Sequence, residues 1–298
     1  MRKYILSLFI LIIVSCKNNK NSYYLNSPDG KIKLEFDLKN GIPLYKISKN
    51  NNLIIDYSKL GIILNGKANL DRGFKVINTN RKTHNSSWKT LFGEQKEIVN
   101  NYNELEVILD QENKKLSITF RVFDDGVGFR YEIENQENIN DYNIVDEKTE
   151  FKLSKNDTAW WIPAFSYRRY EFLYAKTLID DISKNTYSKE VEDIRYDTIG
   201  IDAAHTPLTI KKENGFFISI HEADLNDYSS MTLAPLGNGL IEAELYPWSD
   251  GIKVKSDEKI ISPWRTIQIS DNSSDLLDSN LILNLNDDPD SLEDFSWV

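Results

Sequence analysis

The side chains in this sequence that are able to carry out acid–base chemistry or bind a cation are mainly carboxylates. The chain has 46 Asp and Glu residues, only three histidines (His84, His205 and His221) and one cysteine, Cys16. It contains no Gly-rich phosphate-binding loop, no Cys/His metal-binding pair and no Gly-x-Ser-x-Gly motif. Paired carboxylates or a calcium site therefore remain as the chemistry to consider. The formal net charge of -10 at pH 7 disfavours nucleic acid as a partner.

An aromatic segment around residues 159–174 is the first context in which a carboxylate would be functional. Ala159-Trp160-Trp161-Ile162-Pro163-Ala164 is followed by Tyr167-Arg168-Arg169-Tyr170-Glu171-Phe172-Leu173-Tyr174. Aromatic faces stack on the apolar faces of pyranose rings, and a neighbouring carboxylate binds sugar hydroxyls or a metal ion. The alternative is a core strand that ends in a loop packed with aromatic side chains.

A second group of acidic residues directly follows a hydrophobic strand, in His221-Glu222-Ala223-Asp224-Leu225-Asn226-Asp227-Tyr228. Polar side chains at strand ends often form the rim of a binding site, because the sheet holds them in place. A buried ion pair or a simple turn would account for the same residues. Trp248-Ser249-Asp250-Gly251 and Pro263-Trp264-Arg265 are expected to pack in a turn and at a sheet edge, respectively.

The elements that position these residues are predicted to be short antiparallel strands. Residues 31–38 alternate polar and apolar without exception between the turns Ser27-Pro28-Asp29-Gly30 and Asn40-Gly41, which is typical of a half-buried strand. Further strands are predicted at residues 44–47, 61–64, 104–109, 116–123, 129–133, 209–211, 216–221, 241–245, 264–269 and 281–285, with Gly126 and Gly128 as breaks. The spacing predicts an all-β fold built as a large antiparallel sandwich.

Helical periodicity is rare in this chain. Only residues 168–181 and 275–278 are compatible with helix, and the charged residues 175–204 are predicted to form an exposed excursion from the sheet. No Pro-rich or Gly/Ser-rich linker and no fixed-period repeat divides the chain after its first two dozen residues. We therefore expect one domain over residues 24–298.

The N-terminus has the features of a bacterial export signal. Arg2 and Lys3 precede a short apolar run that ends at Val14, and Ser15 stands directly before Cys16. This order resembles the lipobox of bacterial lipoproteins, in which the cysteine is lipidated; the alternative is an ordinary cleaved signal with a cysteine by chance. Residues 1–16 are thus predicted to be a lipoprotein signal peptide and residues 17–23 a tether, which would hold the exported protein on a bacterial membrane, facing the periplasm.

Several segments together resemble the N-terminal domain of glycoside hydrolase family 97, a bacterial family of α-glucosidases and α-galactosidases. No single segment is decisive, but their order and spacing extend over nearly the whole chain after the tether. The segments that carry the resemblance are Ser27-Pro28-Asp29-Gly30, Gly93-Glu94-Gln95-Lys96-Glu97-Ile98, Tyr102-Asn103-Glu104-Leu105, Asp125-Gly126-Val127-Gly128-Phe129-Arg130-Tyr131, Trp161-Ile162-Pro163, His221-Glu222-Ala223, Pro263-Trp264-Arg265-Thr266-Ile267, Leu283-Asn284-Leu285-Asn286 and Ser296-Trp297-Val298.

The resemblance implies a galactose-mutarotase-like super-β-sandwich, which in family members precedes a catalytic (β/α)8 barrel and a small β-domain. The sequence stops at Trp297-Val298, where the family's chain passes into the barrel, so we expect the barrel to be absent and assign no catalytic residue. In α-glucosidase members a glutamate of the sandwich joins barrel glutamates around calcium, and Glu171 is the best match for it. Calcium would bind weakly, if at all, to this chain alone, because Ca²⁺ takes six to eight oxygens.

Three functions are compatible with the resemblance. The first is the N-terminal portion of a family 97 α-glycosidase, which contributes to binding an α-linked oligosaccharide and calcium beside a barrel in cis or trans. The second is a free-standing, lipid-anchored carbohydrate-binding or scaffold module without catalysis. The third is an enzyme reconstituted with a separately encoded barrel. In none of them do we expect the chain to be active alone.

Overall fold

The computed structural model describes residues 23–66, 69–90, 93–165, 172–191 and 200–287. Within them lie two short α-helices, α1 Lys184–Glu190 and α2 Leu281–Leu285, and two 3₁₀ turns, Ile179–Asp181 and Ser274–Leu276. None of the helices in these ranges is long and apolar enough to cross a membrane. The strands in chain order are β1 Tyr23–Asn26, β2 Ile32–Lys39, β3 Ile42–Lys49, β4 Asn52–Lys59, β5 Ile62–Leu64, β6 Asn69–Leu70, β7 Lys75–Lys89, β8 Glu97–Gln111, β9 Lys114–Phe123, β10 Gly126–Ile133, β11 Ile144–Glu147, β12 Glu150–Lys152, β13 Thr158–Trp161, β14 Ala175–Leu178, β15 Ala204–His205, β16 Leu208–Lys211, β17 Phe217–Ala223, β18 Met231–Gly237, β19 Leu240–Leu245, β20 Ile260–Ile261 and β21 Trp264–Ser270.

Two large antiparallel sheets pack face to face. The first sheet has the order β1-β2-β3-β4-β12-β19-β18-β15, and the second has the order β14-β13-β16-β17-β21-β10-β9-β8-β7, with β20 paired to β10. A small third sheet has the order β11-β5-β6. Aromatic rings join the two large sheets, since Phe36 lies 5.8 Å from Phe120 and Tyr45 lies 5.0 Å from Phe129. The prediction of an all-β sandwich is confirmed.

The alternating pattern of β2 shows how the sequence builds this core. Ile32, Leu34 and Phe36 are fully buried between the sheets, whereas Lys33 is exposed on the opposite face. Successive side chains of a strand point to opposite faces, so the alternation read from the sequence becomes one apolar and one polar surface. Each buried side chain of this size contributes roughly 1.5–3 kcal/mol to the free energy of folding.

Residues 281–285, predicted as a strand, form the helix α2 instead. The packing of this helix explains why two positions of β10 are glycine. Leu281 and Leu285 are four residues apart, which places both on one side of the helix, against the outer face of the second sheet. Gly126 and Gly128 lie beneath them inside β10 and do not break it. A Cβ atom would lie 2.8 Å from Leu281 Cδ2 at Gly126 and 2.5 Å from Leu285 Cδ1 at Gly128. Glycine is therefore needed for the helix to approach.

The prediction of an exposed excursion at residues 175–204 is also wrong where the structure describes it. Residues 175–178 are β14, paired with β13, and the predicted helix over 168–181 is replaced there by this strand and a 3₁₀ turn. Ile179, Ile182 and Tyr187 are buried in the core. The charged residues between them face outward, so charge density alone did not distinguish a packed segment from a loop. Residues 166–171 and 192–199 lie outside the described ranges.

Candidate functional site

The loops at one end of the sandwich form the candidate functional site. Three antiparallel strand pairs reach this end of the sandwich. At this end β13 finishes beside the start of β14, β17 finishes beside the start of β21, and β19 finishes beside the start of β18. We call the loops 162–165, 224–230 and 246–259 the loop end. They contact one another: Phe165 donates its N–H to the Tyr246 hydroxyl at 2.9 Å, and the Ser229 hydroxyl donates to the Tyr246 carbonyl at 2.7 Å.

A buried cluster of three charged side chains lies beneath the loop end. The Arg265 guanidinium donates through Nε and Nη2 to the two carboxylate oxygens of Glu147, at 2.8 and 2.6 Å. Its Nη1 donates to Glu222 Oε2 at 2.6 Å. Arg265 and Glu147 are fully buried. Such bidentate bonds between charged groups are among the strongest hydrogen bonds in proteins, and they fix the relative positions of β21, β11 and β17.

The charges of this cluster are set by burial and by the neighbouring groups. Burial favours the neutral form of Arg265, but the carboxylates of Glu147 and Glu222 outweigh it and raise the pKa of the guanidinium. Burial raises the pKa of Glu222, although Arg265 and the Met231 N–H act in the opposite direction. Burial and the Glu147 carboxylate also raise the pKa of Tyr228 well above its usual value. Tyr228 therefore remains a neutral donor.

Tyr228 connects the buried cluster to the surface loop 224–230. Its hydroxyl donates to Glu147 Oε2 at 3.0 Å, and its ring centroid lies 5.5 Å from the Arg265 guanidinium. Of the alternatives for the acidic residues that follow β17, the buried ion pair is therefore correct for Glu222. Asn226 and Asp227, in contrast, are exposed at the rim of the loop end.

The prediction that Pro263-Trp264-Arg265 packs at a sheet edge is wrong, because β21 lies between β17 and β10 in the interior of the second sheet.

A cleft of about 990 Å³ opens between the loops 224–230 and 246–259. Tyr228, Tyr246 and Trp248 line it, together with polar residues of the segment 253–261. Trp248 begins the expected turn, closed by a hydrogen bond from Gly251 N–H to the Trp248 carbonyl at 2.9 Å. Trp248 is not packed in that turn as expected, because the residue is 61% exposed. The cleft thus combines a rigid tyrosine floor with an accessible aromatic ring.

The family model of the glycosyl-hydrolase 97 N-terminal domain matches residues 25–288 of this chain. The chain belongs to this family. Two solved structures of a glycoside hydrolase family 97 enzyme from Pseudoalteromonas sp. strain K8, in complex with panose and with acarbose, are each 38% identical to it, with a TM-score of 0.82. Each match covers 93% of this chain and 39% of the solved chain. The family 97 domain described here therefore spans about two fifths of the length of these relatives.

More distant structures share only the fold of this family 97 domain. A β-arabinopyranosidase is 20% identical, with a TM-score of 0.71, over 84% of this chain and 40% of its own. A family 36 α-galactosidase from Geobacillus stearothermophilus is 9% identical, with a TM-score of 0.50, over 86% of this chain and 40% of its own. The sandwich is thus found in glycoside hydrolases of diverged sequence.

The two tryptophans of the aromatic segment lie on opposite faces of the second sheet of the family 97 domain. Trp161 is 1% exposed, packs 5.6 Å from the Tyr187 ring and donates Nε1–H to the Thr177 hydroxyl at 3.0 Å. For this residue the core alternative is therefore correct. Trp160 lies on the outer face of the second sheet, with Lys176 Nζ at 5.2 Å from its ring.

The two residues predicted to be modified or to bind metal, Cys16 and Glu171, lie outside the described residues. Where the structure describes the chain, no group of three or more His, Cys, Asp or Glu side chains is placed to hold a metal ion. These residues by themselves therefore do not fit a calcium ion, which takes six to eight oxygen ligands. The calcium prediction for Glu171 consequently depends on oxygens from elsewhere.

Sequence reasoning missed the main features of the loop end. Arg265 and Glu147 are 118 residues apart, and neither stands in a recognisable charge pattern. Tyr246 was not distinguished from other strand-end aromatics, although it contacts two other loops. The one usable signal was that Trp248 begins the polar turn Trp248-Ser249-Asp250-Gly251, since turns and loops lie on the protein surface.

Proposed function

We propose that this chain is the substrate-side domain of a family 97 α-glycosidase and contributes to binding an α-linked oligosaccharide beside a catalytic (β/α)8 barrel, supplied in cis or in trans. The observation that supports this proposal is the 38% identity, over 93% of this chain, to enzymes that bind panose and acarbose. Because the match covers 39% of those enzymes, the catalytic carboxylates are assigned to the remainder of such a protein.

The geometry of the loop end supports this role. Its loops follow the interior strands β13, β17 and β19, and Tyr228 bonds the loop 224–230 to Glu147 of the buried Arg265 cluster, so they offer a fixed surface to a ligand or a neighbouring domain. Rigid support for exposed loop residues is what binding sites require. Phe165, which is bonded to Tyr246 in the loop end, stands six residues before Glu171 in the sequence.

Glu171 is proposed as one ligand of a calcium ion whose other oxygens come from the barrel. Its neighbour in sequence, Phe172, is buried and packs 5.8 Å from the Tyr187 ring. This contact ties the residue after Glu171 to the core close to the loop end. When bound, the calcium ion would supply a positive charge for binding or polarising sugar oxygens.

The test of this proposal is reconstitution with a separately produced family 97 barrel on an aryl α-glucoside. We expect activity only when both chains and calcium are present, because neither chain alone holds a complete site. Glu171→Gln is expected to raise the calcium concentration needed for half-maximal activity by about tenfold or more. Glu137→Gln, at an exposed position in the turn that follows β10, is the matched control. A barrel that is equally active without this chain, or a Glu171→Gln variant that behaves like the control, would refute it.

We propose that the predicted lipid anchor at Cys16 holds the domain on a bacterial membrane, with the domain facing the periplasm. Ser15-Cys16 after a short apolar run supports it. We expect the wild-type protein in the membrane fraction of the bacterial cell and Cys16→Ala in the soluble periplasmic fraction. Wild-type protein that is recovered soluble, with an unmodified mass, would contradict the anchor.

A free-standing carbohydrate-binding or scaffold module remains the second candidate function. The observation that favours it is that the cleft of the loop end is formed entirely by residues of this chain. Under this alternative, calorimetry detects binding of maltooligosaccharides or α-galactosides to the purified protein, and adding a barrel produces no activity. The reconstitution experiment therefore separates the two functions.

A further inference from the structure

We infer that the cleft lined by Tyr228, Tyr246 and Trp248 is a binding site for a neutral α-linked glucan chain, formed without any residue of a catalytic barrel. The class of ligand in this inference, an α-linked glucan, rests on the proposed function. The inference goes beyond that function because it places a binding site on the sandwich itself. The volume of about 990 Å³ is at the upper end of ligand clefts, which suits several linked sugar rings.

Trp248 is the stacking platform of this site. Its indole is largely exposed, and Lys255 Nζ lies 5.3 Å from the ring centroid over one face. Lys255 is itself held by an ion pair to Asp250 at 2.6 Å, in the same turn. Lys255 therefore covers one face of the ring, while most of the residue's surface is accessible. An exposed aromatic ring beside polar groups suits a pyranose, which has an apolar face and a hydroxylated edge.

The floor of the cleft is already ordered. Tyr228 is bonded to Glu147 of the buried cluster, and the Tyr246 ring packs 4.4 Å from the Phe165 ring. Lys253 Nζ donates to the Leu245 carbonyl at 2.7 Å and forms an ion pair with Glu244. Few side chains would thus lose conformational freedom when a ligand binds, which reduces the free-energy cost of association.

The charges in the cleft select for a neutral ligand rich in hydroxyl groups. The exposed carboxylates of Asp227, Asp257 and Glu258 make no hydrogen bond or ion pair with the described residues, and they are hydrogen-bond acceptors. The lysines of the cleft are already paired, since Lys259 contacts two glutamates at 2.9 and 2.6 Å. An anionic polysaccharide would meet uncompensated negative charge, whereas sugar hydroxyls can donate to these carboxylates.

Fluorine NMR of the purified protein labelled with fluorotryptophan tests the inference directly, with maltotetraose as the probe. We expect a saturable shift of one resonance, which is identified as Trp248 by its loss in Trp248→Phe, and no shift of the others. Trp248→Ala is expected to weaken maltotetraose binding about tenfold in calorimetry. Trp160→Ala is the matched control, because Trp160 also lies beside a lysine but outside the cleft, and it should leave the affinity unchanged. Circular dichroism checks that both variants are folded.

The outcomes separate this inference from the proposed function. If maltotetraose binds and Trp248→Ala matches the wild type, the cleft is not the site, although the substrate class stands. If maltotetraose does not bind but an added barrel does, and Trp248→Ala weakens that association, the cleft is a protein interface and the inference is overturned. If neither binds, the inference is also overturned, while reconstitution of activity with a barrel still decides the proposed function.

Discussion

Arg265→Met is expected to lower the free energy of unfolding by about 3–5 kcal/mol, the largest effect of any single substitution proposed for this domain. The substitution removes the only cation that contacts Glu147 and Glu222 in the described core and leaves two buried carboxylates side by side. Burial of an unpaired charge costs far more than the pair itself contributes. Tyr228 would lose the guanidinium beside its ring, and its partner Glu147 would lose the two bonds that hold it, so the loop 224–230 should become more mobile.

Chemical denaturation measures this effect, and Lys255→Met is the matched control. Lys255 pairs with Asp250 at the surface, where both side chains are about half exposed, so its loss should cost less than about 1 kcal/mol. A triple variant that combines Arg265→Met with Glu147→Gln and Glu222→Gln should recover part of the lost stability, because it removes the buried negative charges. Arg265→Met with the stability of the control would show that the cluster does not support the fold.

Gly239→Ala is expected to destabilise the domain by about 2–5 kcal/mol, the second largest effect. Gly239 has a φ of 75°, and a Cβ there would lie 2.4 Å from the Leu153 carbonyl oxygen and 2.7 Å from the Lys155 nitrogen. These are backbone atoms of the segment that follows β12, so they cannot rotate away. The new methyl group would separate the β18–β19 turn from that segment and weaken the 2.8 Å bond from Leu153 N–H to the Gly239 carbonyl.

Gly237→Ala supplies the control for this prediction in the same turn. Gly237 has a φ of 85°, but a Cβ there meets no atom within 4 Å. Alanine at Gly237 should therefore cost only the strain of the left-handed conformation, about 1–2 kcal/mol. The difference between the two variants, measured by thermal or chemical denaturation, isolates the steric term. Equal losses would mean that the turn does not approach residues 153–155 as closely as described.

Local patterns predicted much of the sandwich because the side chains of a strand alternate whatever it pairs with. The alternation of residues 31–38 located β2 within one residue at each end, and the turn residues beside it marked where the chain reverses. The same reasoning failed at residues 281–285, since five mainly apolar residues satisfy a strand and a helix equally well. There the glycines of β10, more than 150 residues earlier in the chain, allow α2 to pack on the sheet.

The sequence by itself determined the all-β class, the positions of ten of the 21 described strands and, through the order of its segments, membership in the glycoside hydrolase 97 N-terminal family. Only the tertiary structure decided which charges are buried and which aromatic rings are exposed. Arg265 and Glu147 meet because β21 and β11 come together in space, and Trp161 is covered by Tyr187 while Trp248 is left open. Burial depends on residues brought from distant parts of the chain, and local periodicity carries no information about those partners.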